Sequence, residues 1–365
     1  MKALLQRRGG LFLFAMVAIV LAAFISGCNG EEAAPVDPDN GEEVLADTIY
    51  MLNWSDYIDP DAVAGFEEEY GVNVEIDFYA NMDELLAKLQ ASPGVYDLMV
   101  TSDYMLEVML ELDMLEELNY DNIPNIDNVI PYFRDTEIDP GGKHSVIYAF
   151  GTTGLAYNTK YVESADSWAV LWDPQYRNRV SIMDDAREGF APILQYLGYS
   201  INTTDEDELM EARDAAIELK ENLLDFIIVG MEEMLAAEEV WVMQTWSGRA
   251  LRAQAENPAI EYVIPKEGGS VWMEFLNVPK DAPNKYTAEL FINYLMDAEV
   301  NLDNALYIQY GTGNQAALDL ADPEYRDNRI LNPTIEELEA LEPLRDVGLA
   351  TELYDRIWTE ILAAR

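Results

Sequence analysis

From Thr48 onward the apolar positions fall into a repeating strand–helix order. Residues 48–52 form an apolar run of strand length. Asp59 and Pro60 supply an N-cap and a first helical position, and Ala62, Val63, Phe66 and Tyr70 then lie on one helical face. Val72, Val74, Ile76 and Phe78 alternate with polar neighbours, which predicts a strand. Residues 82–89 read as helix, 96–100 as strand and 102–112 as helix again. A second series begins near Gly154, with strands at 180–183 and 240–244 and helices at 205–222, within 286–306, at 333–341 and at 351–364. Repeated β-α-β units predict a mostly parallel sheet with helices on both faces.

The amino terminus has a different pattern. Lys2, Arg7 and Arg8 precede an uncharged apolar run over residues 11–25, which is short for a membrane span and fits an export signal. The run ends in Ile25-Ser26-Gly27-Cys28, which resembles the bacterial lipobox, where cleavage precedes a cysteine that carries lipid. Cys28 is the only cysteine, so a disulfide within the chain, a thiolate metal cluster or Cys-His catalysis is not expected. Residues 29–46 are rich in Glu, Asp, Pro, Ala and Gly and read as a solvated acidic tether. The expectation is a signal peptide at 1–27, a lipid-anchored tether at 28–46, and a folded part that does not span the membrane.

Length and composition sharpen this picture. At 365 residues the chain exceeds one comfortable core, and half of it is hydrophobic, so two well-packed lobes are expected. The net charge is −47, and it becomes three units more negative if Lys2, Arg7 and Arg8 leave with the signal. Nucleic acid and anionic membrane surfaces are poor partners for such a chain. Attraction of a cationic ligand and a solubility adaptation to salty surroundings both fit this charge.

The chemistry-bearing residues cluster after predicted strands. Trp54 follows the first, Ser102-Asp103-Tyr104 the third, Asp184 to Glu188 the strand near Val180, and Trp246 the strand near Val240. Ligands of open α/β sheets bind beyond the carboxyl ends of strands, so four such clusters predict one cleft. Its aromatic set is Trp54, Tyr57, Tyr104, Trp246, Trp272 and Tyr310; its acidic set is Asp56, Asp103, Asp185, Glu188 and Glu274. A linear polyamine needs this mixture, because buried ammonium groups require paired carboxylates and methylene spacers require flat apolar walls. Taken singly, each Trp fits a core residue and each acid a solvated surface charge. Composition and spacing alone reach a two-lobed α/β binding protein.

These segments also carry a family resemblance. Asn53-Trp54-Ser55-Asp56-Tyr57, Tyr96-Asp97-Leu98, Ser102-Asp103-Tyr104 and Ser167-Trp168 through Leu171-Trp172 stand in an order shared with the bacterial periplasmic spermidine/putrescine-binding proteins. So do Asp184-Asp185-Ala186-Arg187-Glu188, Leu197-Gly198-Tyr199-Ser200, Asn202-Thr203-Thr204-Asp205 and Pro265-Lys266-Glu267-Gly268-Gly269. Trp272-Met273-Glu274, Ile308-Gln309-Tyr310-Gly311-Thr312 and Asp346-Val347-Gly348 complete the series, and the chain resembles this family from about Asp47 to its end.

The resemblance implies a type II periplasmic-binding-protein fold: two lobes, each a mostly parallel sheet flanked by helices, closing on a ligand in the cleft between them. Residues 47–152 and 273–316 would form lobe 1, and 153–272 and 317–365 lobe 2. It further implies ligand contacts from Trp54, Ser55, Asp56, Tyr57, Ser102, Tyr104, Asp185, Glu188, Trp246, Trp272, Glu274 and Tyr310. The implied role is delivery of a polyamine to the membrane permease subunits of an ABC importer by a monomer at the cell envelope, with no catalytic residue, metal or cofactor. Tyr104 with Asp185 and Glu188 leans toward spermidine over putrescine.

Three positions depart from the family pattern. Glu274 stands where Asp is usual, Arg249 where a small or acidic residue is usual, and Leu344 where spermidine binders tend to have an amide. Arg249 keeps open a zwitterionic or guanidino ligand if it points inward, and an outward turn or the neutralising of a spare acid if it does not. Paired acids also permit an extracellular hydrolase, though no glycosidase motif accompanies them. The dispersed, Trp-walled acids suit an organic cation better than a calcium ion. His144, the only histidine, lies in the turn-like Gly141-Gly142-Lys143-His144 and reads as a surface residue, so no triad is expected.

Overall fold

The structure, a computed structural model, describes residues 44–364. The predicted signal peptide, Cys28 and nearly all of the tether lie outside the described residues. The first β-α units form where the sequence places them: β1 (Thr48–Trp54), α1 (Pro60–Tyr70), β2 (Asn73–Tyr79), α2 (Met82–Ala91), β3 (Leu98–Ser102) and α3 (Asp103–Glu111). Asp59 begins α1 by accepting the Asp61 N–H at 2.9 Å, with Pro60 next. Asn81 does the same for α2 through the Glu84 N–H, also at 2.9 Å.

Seven more strands follow: β4 (Ser145–Asn158), β5 (Val180–Ile182), β6 (Leu223–Phe226), β7 (Val242–Trp246), β8 (Ile260–Val263), β9 (Ser270–Asn277) and β10 (Glu342–Pro343). The sheet runs β2-β1-β3-β9-β4-β7-β5-β6, with β10 beside β9 and β8 beside β4. Its outer strands pair in parallel, as β-α-β units require. Its middle does not: β9 is antiparallel to β3 and β4, and β4 is antiparallel to β7.

These two central strands escape the periodicity analysis for a physical reason. Every residue of β4 is buried, so its sequence shows no apolar–polar alternation. It also contains Gly151, which reads as a strand breaker. Packing explains the glycine: a Cβ there would stand 2.3 Å from Cζ2 of Trp272 on β9.

Two apolar cores flank this centre. The first gathers Phe66, Leu85, Met99 and Leu106 with Phe275 and Phe291; the second gathers Trp168, Phe190, Leu194, Leu209, Tyr354 and Trp358. β4 passes from one to the other, with Phe150 in the first and Leu155 in the second. The carboxyl-terminal segment crosses too, between Leu338 in the first and Val347 in the second. Trp168 is fully buried, and its indole N–H donates to Gln195 Oε1 and Gly268 O, each at 2.9 Å. That bond makes so large a residue admissible in the second core.

His144 corrects an expectation. It is half-buried rather than a surface residue, because Asp139 gathers the loop around itself. The Asp139 carboxylate accepts the His144 N–H at 2.8 Å and faces the imidazole Nδ1 at 3.2 Å.

Candidate ligand-binding site

β9 supplies the floor. Ser270, Trp272 and Glu274 are alternate residues of this strand and so share one face. Register then fixes their neighbours. Ser270 stands opposite Thr153 of β4, which stands opposite Trp246 of β7. Trp272 stands opposite Gly151, and Glu274 opposite Ser102 of β3. At ~3.4 Å per residue, the backbones of Ser270 and Glu274 lie about 14 Å apart along the strand.

Buried carboxylates stand at both ends of this floor. At the Ser270 end, Asp185 Oδ1 accepts the N–H groups of Arg187 and Glu188, each at 2.8 Å, a local turn that shapes the loop bearing Glu188. Glu188 Oε1 accepts the Thr153 hydroxyl and the Trp246 indole N–H, both at 3.3 Å, and Oε2 accepts the Ser270 hydroxyl at 3.4 Å. At the other end, Glu274 Oε2 accepts the Trp54 indole N–H at 3.1 Å. Asp103 accepts the Tyr104 N–H at 2.9 Å and lies near enough for its charge to act with those of both glutamates.

Electrostatics marks these three acids. Asp103, Glu188 and Glu274 are 3, 8 and 7 % exposed. Burial lifts Asp103 and Glu188 to about 7 and Glu274 to about 8. Repulsion from Asp185 raises Glu188 further, while the indole and hydroxyl donors pull the other way. None of the three forms an ion pair with Lys, Arg or His among the described residues. Each ionised form is thus disfavoured until an outside cation meets it.

Aromatic rings wall the same space. The Tyr57 ring meets Tyr148 at 5.6 Å and Tyr310 at 5.8 Å, Tyr310 meets Trp272 edge-on at 4.8 Å, and Trp54 lies 4.5 Å from Tyr79. Burial pushes the Tyr57 phenol well above its ordinary range and Tyr310 to about 12, so both stay neutral near pH 7. The Ser102 hydroxyl and the Trp272 indole N–H are buried without a protein partner among the described residues. Tyr104 and Asp185 are half-buried, and the Asp185 charge acts on the Tyr104 phenol.

The structure thus brings together Trp54, Tyr57, Ser102, Tyr104, Asp185, Glu188, Trp246, Trp272, Glu274 and Tyr310. Ser55 and Asp56 differ: both are exposed on the turn after β1, with Asp56 at φ 55°. Arg249 ion-pairs with Glu232, a partner shared with Arg252 at 3.9 Å. It neutralises a spare acid, the second course open to it. Leu344 is buried in a small apolar cluster with Ala191 and Ile201.

The implied contact set leaves out Asp103, Thr153, Ser270 and the rings of Tyr79, Tyr148 and Tyr262. The Tyr262 hydroxyl bonds that of Thr152 at 2.9 Å. The i, i+2, i+4 spacing of Ser270, Trp272 and Glu274 was the one signal available for Ser270. Thr153 and the tyrosines enter through register, which local sequence does not display. No group of three or more His, Cys, Asp or Glu residues suited to a metal ion occurs among the described residues.

Residues 61–333 match the model of the bacterial extracellular solute-binding protein family. This chain belongs to that family. The solute-binding protein is 34 % identical over 322 residues to the spermidine/putrescine-binding periplasmic protein of Salmonella typhimurium, covering 87 % of this chain and 92 % of that one. It is 33 % identical to the Escherichia coli protein of the same name, over 92 % of this chain and 95 % of the other. Among solved structures, the spermidine/putrescine ABC transporter substrate-binding protein of Streptococcus pneumoniae aligns with a TM-score of 0.78 at 31 % identity, over 87 % of this chain and 99 % of that one. A lipoprotein of Treponema pallidum aligns with a TM-score of 0.78 at 28 % identity, over 86 % and 99 %. The mixed α/β fold of this solute-binding protein is therefore the type II periplasmic-binding-protein fold.

Proposed function

We propose that this solute-binding protein captures linear polyamines, spermidine or putrescine, outside the cytoplasm and delivers them to the permease of an ABC importer. One observation carries the reading: buried carboxylates that form no ion pair among the described residues, Glu274 on β9 and Glu188 held to Ser270 four residues before it, border a floor walled by Trp272, Tyr57 and Tyr310. Each ligand ammonium sheds water at a cost of several kcal/mol, which paired and hydrogen-bonded carboxylates offset. The rings cover the methylene spacers and add about 0.5–2 kcal/mol of cation–π attraction per contact. A zwitterion would need an unpaired cation beside the acids, whereas Arg249 is paired with Glu232 and Arg345, whose charge reaches Asp103, with Glu137.

The two cores act as two lobes. The expected bounds put 47–152 and 273–316 in the first lobe and 153–272 and 317–365 in the second, but Val271, Trp272 and Leu338 pack in the first core, and the carboxyl-terminal segment reaches the second by Val347. Contacts from both lobes to one ligand favour the closed arrangement. Within the cleft, Trp54 and Trp246 orient the two glutamates, Trp272 and Tyr310 form the wall, and Asp103 adds a third acid. The role is binding without chemistry, by a monomer. A lipid on Cys28 would hold it at the cell envelope, in keeping with the Treponema pallidum relative named a lipoprotein.

Calorimetric titration of the mature protein with spermidine, putrescine and an uncharged diol of matching length tests the reading. Both amines, or one of them, bind at micromolar concentration or tighter and the diol does not. Mass spectrometry recovers the amine unchanged. Failure of both amines to bind overturns the proposal.

A further inference from the structure

Arg187 stands between two acids of the cleft, Asp185 and Glu188, yet its side chain leads elsewhere. Its Nη1 donates to the carbonyl of Arg345 at 3.0 Å, its Nη2 to Asn202 Oδ1 at 2.8 Å, and the guanidinium lies 4.8 Å from the centre of the Tyr354 ring. Asn202 Oδ1 also accepts the Arg345 N–H at 2.8 Å, and its Nδ2 donates to Pro343 O at 2.8 Å. The segment around residue 345 is therefore fastened to the second core from behind the acidic loop.

Its other side faces the first core. Arg345 Nη2 meets Glu137 Oε2 at 3.1 Å, and the next N–H, that of Asp346, donates to Glu107 Oε2 at 3.1 Å. Glu107 lies on α3, the helix that begins with Asp103 and Tyr104. Glu137 sits between Phe133 and Ile138, both packed in the first core. One short segment thus links the acidic loop of the second core to the helix and loop of the first.

We propose that Arg345 is a closure latch: fastened by Arg187 and Asn202, it engages Glu137 when the lobes meet and so lengthens the stay of the ligand without touching it. This rests on the two-lobed polyamine reading. Arg345 is a positioning residue; because its charge also favours the ionised Asp103 of the cleft, Glu137→Ala, which leaves that charge in place, isolates the latch, and its effect falls on escape rather than on capture. Contacts that form only after the lobes meet retard opening and leave the encounter unchanged. Glu137 is 91 % exposed, so the effect is modest. Arg345→Ala raises the spermidine dissociation rate roughly 2- to 5-fold, the range of a mostly exposed ion pair.

Stopped-flow tryptophan fluorescence on the mature protein gives both rate constants, and small-angle scattering gives the radius of gyration with and without spermidine. The expected result is faster dissociation in Arg345→Ala at an association rate within about 2-fold of the parent, partial rescue by Arg345→Lys, and an equal effect of Glu137→Ala. The double variant is no worse than either single one. Unchanged dissociation in Arg345→Ala, or fully additive single effects, overturns the latch. A parent protein that does not compact with spermidine overturns the two-lobed reading instead. If circular dichroism shows Arg345→Ala unfolded, the exposed Glu137→Ala decides the matter by its dissociation rate.

Discussion

Glu188, bonded to Ser270 at the start of β9, and Glu274, four residues further along that strand, face the same kind of ligand group, yet the protein holds them differently. Glu188 has three side-chain donors, Trp246, Thr153 and Ser270, and is lifted to about 7. Among the described residues Glu274 has the Trp54 indole alone as a side-chain donor and is lifted to about 8. Donors supplied by the protein offset part of the cost of burying a charge, and the ligand must offset the remainder. The sparsely solvated end is therefore where an ammonium gains most, and the well-solvated end is closer to being ready beforehand.

Neutralising each acid gives the largest test of that asymmetry. Glu274→Gln weakens spermidine binding by roughly 100-fold or more and Glu188→Gln by roughly 30- to 100-fold, as loss of one partner of a buried charge pair costs about 2–5 kcal/mol. Calorimetry measures both, and equal losses would break the comparison. Thermal unfolding of the unliganded Glu274→Gln protein at pH 8 should move upward, since a disfavoured buried anion is gone.

Next comes pH. Both carboxyls are raised, so the folded protein disfavours the ionised form that an ammonium requires. Affinity therefore declines as pH falls through about 8 for Glu274 and about 7 for Glu188 and Asp103. Without ligand the sign reverses for stability: the contribution of these groups is lost as pH rises from the ordinary carboxylate range to about 8. Titrations at pH 7 in buffers of different ionisation enthalpy should show release of about one to two protons per ligand. Binding at pH 7 without proton release contradicts the assignment.

Smaller effects separate the indoles. Trp54→Phe, which removes the sole side-chain donor to Glu274, weakens binding about 5- to 20-fold. Trp246→Phe, which leaves Glu188 two hydroxyl donors, weakens it less than about 5-fold. The ratio of the two dissociation constants at one pH is the measurement. Smallest of all is Arg249→Ala: its charge serves Glu232, so the ligand affinity changes by less than about 3-fold.

The sequence displayed the periphery of this fold better than its middle. Asp59 and Pro60 announce their helix because capping is local chemistry. The antiparallel entry of β9 between β3 and β4 joins residues more than a hundred positions apart, and no local pattern encodes it. The site divides in the same way. Trp54, Trp246 and Glu274 draw attention by residue type, while Thr153 and Ser270 matter through standing opposite each other. Asp56 was as visible as Asp103 in the chain. Backbone geometry, with Asp56 turned out at φ 55° and Asp103 opening a helix inside, separates them.

Gly151 gives the groove its depth. The Trp272 ring lies where a side chain on β4 would otherwise be, so the height of the floor is governed by one missing carbon. Any larger residue there must displace the indole, reshaping the floor without altering a single charge. The contour of the floor and its charge are thereby set from separate positions, Gly151 under the indole and Glu274 two residues along the strand from it.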